Sequence, residues 1–118
     1  NTSTITNVFK IPLNRPTGNP TSIATLDTFD KTTHRSAVYT VSISDSNSGS
    51  LGNYETCEVR VTHDGTTAYI TVFGRANSAS SDLVTFSADI SGDNVRLRGT
   101  ISSSNEHEVT VVRRLINV

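Results

Sequence analysis

The sequence predicts an all-β fold: an antiparallel β-sandwich of about seven to eight short strands, with a jelly roll among the topologies that fit. Two observations indicate this class. Serine (16 residues) and threonine (18) make up 34 of 118 residues, a balance that suits strands with hydroxyl-bearing outer faces better than helices. Apolar and polar residues also alternate in segments about ten residues apart, and turn residues separate these segments.

The central element is a β-hairpin from Tyr54 to Phe73. Its two arms flank the tetrapeptide His-Asp-Gly-Thr at 63–66. Asp-Gly between alternating segments favours a tight turn because glycine adopts positive φ without a steric penalty. The His63-Asp64 pair is therefore interpreted as turn structure and not as part of a catalytic triad. In the first arm, one face carries Cys57, Val59 and Val61.

The second arm of this hairpin has apolar groups on both faces. Tyr69 and Phe73 lie on the face opposite Ile70 and Val72. Because a strand exposed on one side alternates apolar with polar residues, we expect something to cover this second face. The N-terminal segment and a neighbouring subunit are the two candidates.

Further strands are predicted on both sides of the hairpin. The spacing of Ile23, Leu26 and Phe29 at three-residue steps fits one helical turn or a bulged strand, and the frequent threonines favour the strand. Two polar stretches, 45–53 and 74–81, are predicted to be loops because turn-forming residues dominate them. The remaining predicted strands are 22–29, 35–44, 83–90, 95–101 and 108–116.

Residues 1–20 form a separate compositional zone before a sandwich domain at 21–118. All three prolines lie in this zone, and each removes a backbone donor and disfavours helix before it. The zone is predicted to be an extended arm. It either lies on its own domain or packs on a neighbouring subunit, and Phe9, Ile11 and Leu13 are its candidate assembly contacts.

Charge and composition exclude several classes of function. A net charge of −1 provides no broad basic field, so nucleic acid is not an expected partner. No apolar run is long enough for membrane insertion. A single cysteine, Cys57, permits neither an internal disulfide nor a multi-cysteine zinc site. No phosphate loop and no Gly-x-Ser-x-Gly motif occurs, so the sequence predicts no cofactor, no metal and no enzyme.

Two sets of residues are candidates for contacts with partners. Arg96 and Arg98, together with Arg113 and Arg114, are the densest positive feature, and they form one stripe for phosphate or a carboxylate-bearing partner if their strands pair. Salt bridges between subunits and a solvated face are the other interpretations of this feature. A ligand site built on loops 45–53 and 74–81 is the other candidate. Its residues are Asn47, Tyr54, Arg75 and Asn77.

Five short blocks occur in a fixed order: 25–29 (TLDTF), 35–39 (RSAVY), 61–66 (VTHDGT), 86–92 (FSADISG) and 95–97 (VRL). This series resembles a β module of virion structural proteins of marine tailed phages, including cyanophages, which often stands at the C-terminal end of fibre, appendage or surface proteins. The resemblance covers about residues 21–118. It implies a homo-oligomer, with a trimer as one form, that contacts other virion proteins at the surface of the particle.

Two functional hypotheses follow from the resemblance and the loops. The first is a non-enzymatic virion structural protein in a tail fibre, an appendage or a capsid-surface position, assembled through sandwich contacts and the arm. The second is a receptor-binding module for host-surface glycan. Exposed aromatic faces are expected at a glycan site, and Tyr54 and Phe73 are the aromatic residues near the two loops.

Overall fold

The computed structural model describes residues 3–5, 9–13, 22–46, 53–78, 82–101 and 106–118. These residues form two antiparallel sheets packed as a sandwich, which confirms the predicted fold class. The strands are β1 (Ser3–Ile5), β2 (Phe9–Leu13), β3 (Ser22–Asp30), β4 (His34–Ser46), β5 (Asn53–His63), β6 (Ala68–Asn77), β7 (Thr85–Ser91), β8 (Asn94–Ile101) and β9 (Glu106–Asn117). Within the described ranges, no helix is long and apolar enough to span a bilayer.

The larger sheet contains a Greek key. Its order is β9-β4-β5-β6. β4, β5 and β6 are consecutive in the chain, and β9 returns after the smaller sheet to pair with β4. The smaller sheet has the order β3-β8-β7. These seven strands are the body of the sandwich, as the sequence predicts.

The N-terminal strands extend the larger sheet at its β9 edge. β1 pairs with Arg114 to Ile116, and β2 pairs with His107 to Val111. This edge is opposite the β6 edge, where Tyr69 and Phe73 lie. The described part of the arm therefore continues the sheet edge to edge and does not cover the face of Tyr69 and Phe73. Cover by a neighbouring subunit stays a prediction.

The hydrophobic core lies between the two sheets. The predicted alternation on β4 and β5 is confirmed, because every second side chain is buried. The larger sheet contributes Ala37, Tyr39, Val41, Ile43, Cys57, Val59, Val61, Val109, Val111 and Leu115. The smaller sheet contributes Leu26, Phe29, Phe86, Val95 and Leu97, and Val84 joins them from the residue just before β7.

A β-bulge in β3 explains the three-residue spacing of its apolar residues. Thr25 pairs with Arg98 and Asp27 with Leu97, so Leu26 has no partner across the ladder. The extra residue turns Leu26 into the core. Opposite the bulge, a Cβ atom on Gly99 would lie 2.9 Å from Leu26 Cδ1, so glycine leaves the space that Leu26 occupies.

The turn at 63–66 is structural, as predicted. Gly65 has a φ of 94°, and the Asp64 carboxylate accepts hydrogen bonds from the backbone N–H groups of Thr66 (2.9 Å) and Thr67 (2.8 Å). His63 is buried, and its Nδ1 accepts from Gly65 N (3.0 Å) while its Nε2 donates to His34 O (2.8 Å). Each side chain is thus engaged with the backbone, and the two do not act as a dyad.

Candidate functional site

The solvent-facing side of the larger sheet is the candidate site, and we call it the outer face. It consists of the side chains of β4, β5, β6 and β9 that alternate with the core residues and point away from the smaller sheet. Three aromatic residues are exposed there: Tyr54 (59%), Tyr69 (52%) and Phe73 (42%). All three lie on the β5–β6 hairpin but are spread along it: Tyr69 is opposite Thr62, Phe73 is opposite Glu58, and Tyr54 lies near the start of β5.

Two rows of side chains cross the middle of the outer face. In one row, Val38 of β4 pairs with Arg60 of β5 on one side and with Arg114 of β9 on the other. In the next row, Thr40 lies between Glu58 and Val112. These six residues, together with Arg113, line a shallow pocket of about 370 Å³. Its floor is apolar at Val38 and Val112, and its rim is charged.

Arg60 and Arg114 differ from Arg113, the third arginine of the pocket, which forms an ion pair with Asp27. Among the described residues, neither Arg60 nor Arg114 has a carboxylate within ion-pair distance, whereas Arg75, Arg96, Arg98 and Arg113 all do. The Arg60 guanidinium lies 5.4 Å from the centre of the Phe73 ring, a cation–π contact. Both guanidinium groups are therefore available to an anionic ligand.

Hydrogen bonds orient two polar groups of the outer face. Glu58, the acidic residue lining the pocket, accepts from Thr40 Oγ1 at 3.3 Å. At the turn end, the Tyr69 hydroxyl donates to Asp64 Oδ2 at 3.0 Å. The backbone N–H groups of Thr67 and Thr66, together with Tyr69, lower the pKa of the Asp64 carboxyl. Asp64 therefore stays ionised and holds the Tyr69 hydroxyl at the end of the outer face that lies next to the turn.

The residues predicted for a ligand loop lie in three different places. Tyr54 is exposed on the outer face, and Asn47 lies outside the described residues. The predicted loop at 74–81 starts later than expected, because β6 continues to Asn77. A bulge allows this: Gly74, with a φ of 66°, and Arg75 together oppose Cys57, and pairing resumes between Ala76 and Thr56.

This second bulge turns Arg75 and Asn77 toward a buried carboxylate. Glu55, whose side chain is fully buried, accepts hydrogen bonds from Arg75 Nη1, from Asn77 Nδ2 (3.1 Å) and from the backbone N–H of Leu83 (3.0 Å). The Arg75 guanidinium also lies 5.8 Å from the centre of the Phe86 ring. Glu55 thus joins the start of β5 to Arg75 and Asn77 of β6 and to Leu83, just before β7 of the smaller sheet.

The predicted arginine stripe does not form, because β8 and β9 belong to different sheets. Arg96 binds Asp89 through two hydrogen bonds of 2.7 and 2.6 Å, and Arg98 lies 3.9 Å from the same carboxylate. The hydrogen bonds from Arg96 lower the pKa of Asp89. Arg113 faces the smaller sheet, while Arg114 belongs to the outer face.

The remaining predicted assembly residues are placed by backbone register. Phe9, Ile11 and Leu13 occupy alternate positions of β2, opposite Val111, Val109 and His107 of β9. Tyr69 and Phe73 lie at the opposite edge of the same sheet. The structure thus separates these five candidates into two groups, and their role in assembly stays a prediction.

Sequence reasoning missed a polar contact between the sheets. Asp27 of β3 accepts a hydrogen bond from the Tyr39 hydroxyl (2.8 Å) and two from Arg113 Nη1 (2.8 and 2.9 Å). Burial is the main cause that raises the pKa of Tyr39, and the Asp27 charge adds to it. The signal in the sequence was the Leu26-Asp27 step, where a bulge decides which residue faces inward.

Comparison with solved structures finds phage tailspike proteins. The chain matches the Acinetobacter baumannii phage AM24 tailspike protein with a TM-score of 0.57 and 8% identity, over 98% of this chain and 26% of that one. The Acinetobacter phage vB_ApiP_P1 tailspike protein matches with a TM-score of 0.48 and 19% identity, over 99% of this chain and 22% of that one. No protein family and no curated protein matches this chain.

These matches concern the fold. At 8% identity, the likeness to the AM24 tailspike shows that the same kind of sandwich occurs within a phage tailspike chain. This chain spans about a quarter of the length of that protein. The residues described above are therefore interpreted as one module, and the activity of a complete tailspike is not assigned to them.

The exclusion of an enzyme is corrected by a third match. The tailspike protein gp49 of Acinetobacter baumannii bacteriophage Fri1, described as a capsular polysaccharide depolymerase, matches with a TM-score of 0.32 and 19% identity, over 89% of this chain and 19% of that one. An enzyme is thus among the matching chains. The exclusion rested on catalytic motifs that the sequence does not contain, and such an absence does not decide whether a chain is an enzyme.

Proposed function

We propose that this chain is a β-sandwich module of a phage tail appendage of the tailspike type, located on the virion. The observation that carries the proposal is the match to the AM24 tailspike, which extends over 98% of this chain. The resemblance of the five sequence blocks to marine-phage virion modules supports the same class. The marine origin itself stays a prediction.

Assembly is part of this proposal. The module forms a homo-oligomer, with a trimer as the expected form, and contacts other virion proteins. Residues 1–20 are proposed to take part in assembly because β1 and β2 are the outer strands at the β9 edge of the larger sheet. The unpaired side of an outer strand is prone to association with another chain. Phe9, Ile11 and Leu13 are the arm residues proposed to contact a neighbouring copy.

Gold-labelled antibodies against the chain, applied to intact particles, test the location. We expect label at the tail and none at the head. Label confined to the head, or a particle without the protein, contradicts the proposal. Light scattering on the purified full chain tests assembly separately: a mass three times that of the monomer supports the trimer, and a monomer at all concentrations contradicts self-assembly.

Host-surface glycan binding is the second candidate function. The observation that favours it is the exposure of Tyr54, Tyr69 and Phe73 on one face of the larger sheet. Aromatic side chains of this kind combine an apolar surface with, in tyrosine, a polar hydroxyl. Because Arg75 and Asn77 hold Glu55, the outer face and not the predicted pair of loops is the proposed location. Binding to a glycan array, lost in Tyr69→Ala and Phe73→Ala, is the expected result.

A further inference from the structure

The charge of the outer face indicates which glycans it fits. Arg60 and Arg114 are exposed and have no carboxylate partner among the described residues, although the whole chain contains more acidic residues (11) than lysines and arginines (10). Glu58 is the acidic residue lining the pocket, and it accepts a hydrogen bond from Thr40. The centre of the face therefore has a surplus of positive charge within a protein of nearly neutral net charge.

The spacing of the two arginines fits a chain molecule that carries several anionic groups. Each arginine pairs with Val38 from an opposite side, so their Cα atoms are two strand spacings apart, roughly 10 Å. The guanidinium group binds carboxylates through two parallel hydrogen bonds, which gives direction as well as affinity. One ligand with carboxylates at two positions can therefore reach both arginines across the pocket.

The surroundings of the arginines suit sugar rings. Phe73 lies against Arg60 and remains 42% exposed, so part of its ring is accessible to an apolar sugar face. Val38 and Val112 form an apolar floor between the charges. The Thr40 hydroxyl donates its proton to Glu58 and can still accept a hydrogen bond from a sugar hydroxyl. Aromatic, apolar and cationic groups thus occur side by side on the four adjacent strands β9, β4, β5 and β6.

We propose that the outer face binds a carboxylate-bearing glycan that lies across β6, β5, β4 and β9, with its carboxylates on Arg60 and Arg114 and a sugar ring against Phe73. This inference rests on the second candidate function. A second copy of the chain fits the face less well, because Glu58 is a single acidic group for two arginines. Burying an arginine without a partner is costly.

Calorimetric titration of the full chain tests the inference. The probes are hexamers of galacturonate and of mannuronate, each compared with its fully methyl-esterified form, which keeps the sugar and loses the charge. We expect at least one hexamer to bind, and its ester to bind at least about tenfold more weakly, because hydrogen bonds to charged groups contribute more than neutral ones. Affinity should also fall as salt is raised.

Variants locate the binding. Arg60→Gln and Arg114→Gln should each weaken binding of the hexamer by about tenfold, and the double variant should abolish it. Arg98→Gln removes the same charge from the smaller sheet and is the matched control, with affinity within about twofold of the parent. Unchanged melting curves show that the outer-face variants remain folded.

Three outcomes overturn the inference. If the ester binds as well as the hexamer, the face does not recognise charge, and glycan binding itself survives. If neither acidic hexamer binds while neutral glycans on an array do, the ligand class is wrong and the second candidate function stands. If Arg60→Gln or Arg114→Gln instead lowers the mass of the assembled protein, the face is an interface between copies.

Discussion

The Tyr39 hydroxyl donates a 2.8 Å hydrogen bond to Asp27 Oδ2, and this part-buried contact joins the two sheets at the margin of the core. Tyr39 is fully buried on β4, and Asp27 comes from the bulged strand of the smaller sheet. Arg113 supplies the opposite charge, so the carboxylate is neutralised where it leaves water. The contact fixes how the sheet that carries the outer face is placed on the other sheet.

Replacement of these residues should destabilise the fold to different extents. Tyr39→Phe should lower the free energy of unfolding by about 1 kcal/mol, because Arg113 still satisfies Asp27. Asp27→Ala should lower it by roughly 3 kcal/mol, because the Tyr39 hydroxyl loses its acceptor and Arg113 loses its carboxylate partner. Denaturant unfolding measures both. Thr28→Ala, at the exposed next position of β3, is the control. An equal loss of unfolding free energy in all three variants would contradict a specific role for the contact between Tyr39, Asp27 and Arg113.

Gly99→Ala should destabilise the protein by about 1–3 kcal/mol, because the added methyl group overpacks the core. Its Cβ would lie 2.9 Å from Leu26 Cδ1 and 3.0 Å from Val84 Cγ1, and both side chains are buried. Thermal or denaturant unfolding measures the loss. In a Leu26→Ala background the same substitution should cost clearly less, and equal costs in the two backgrounds would show that the bulge is not the obstacle.

The thiol of Cys57 should be inert in the folded protein. Burial raises its pKa to about 11, so the reactive thiolate is scarce at pH 8. A chromogenic disulfide reagent should therefore react within minutes only after denaturant is added. Because the folded state disfavours the thiolate, the stabilising effect is present below the pKa of the unfolded thiol, about 8.5, and is lost as pH rises toward 11. Rapid labelling of the native protein at pH 8 would contradict the buried position.

Acid should weaken the turn at Asp64. Hydrogen bonds from the backbone of Thr67 and Thr66 lower the pKa of this carboxyl in the folded protein. Its contribution to stability is therefore present above the unfolded pKa of about 4 and is lost as pH falls through the lower folded value. The difference in unfolding free energy between the parent and Asp64→Ala should shrink from pH 5 to pH 2. A constant difference over this range would contradict the role of the charge.

Removal of residues 1–20 should expose one edge of the larger sheet. β1 and β2 pair with β9 from Ile116 to His107, and their loss leaves the outer backbone groups of β9 unpaired. We expect a lower melting temperature, loss of the oligomer that the arm residues are proposed to support, and concentration-dependent aggregation through the exposed edge. Scanning calorimetry and light scattering measure these effects. A truncated chain with the stability and mass of the parent would contradict a role for the arm at this edge.

The alternating pattern and the turn chemistry predicted most of the body. The Asp64-Gly65 turn and the inward positions of β4 and β5 could be read from the sequence because each depends on neighbours in the chain. The contacts of Asp27 and Arg75 could not, since both depend on a bulge that shifts the facing of later residues by one. Whether a strand carries a bulge depends on packing against the other sheet.

The same limit explains where the candidate site was misplaced. Glycine, asparagine and serine cluster at 74–81 and predict a polar loop, yet the bulge at Gly74 lets β6 continue and directs Arg75 to Glu55. The pairing of β9 with β4, which places Arg114 beside Val38, joins segments about 75 residues apart. No local pattern reveals such a neighbour.

Electron cryomicroscopy of the assembled tail appendage tests the proposed role most directly. The account predicts density for this sandwich in the appendage, with the outer face, marked by Arg60, Arg114 and Phe73, turned toward solvent. When the uronate hexamer that binds in the titration is added, extra density should appear over Val38, between Arg60 and Arg114. A sandwich absent from the appendage would contradict the proposed function, and an outer face buried against another copy would contradict the glycan site.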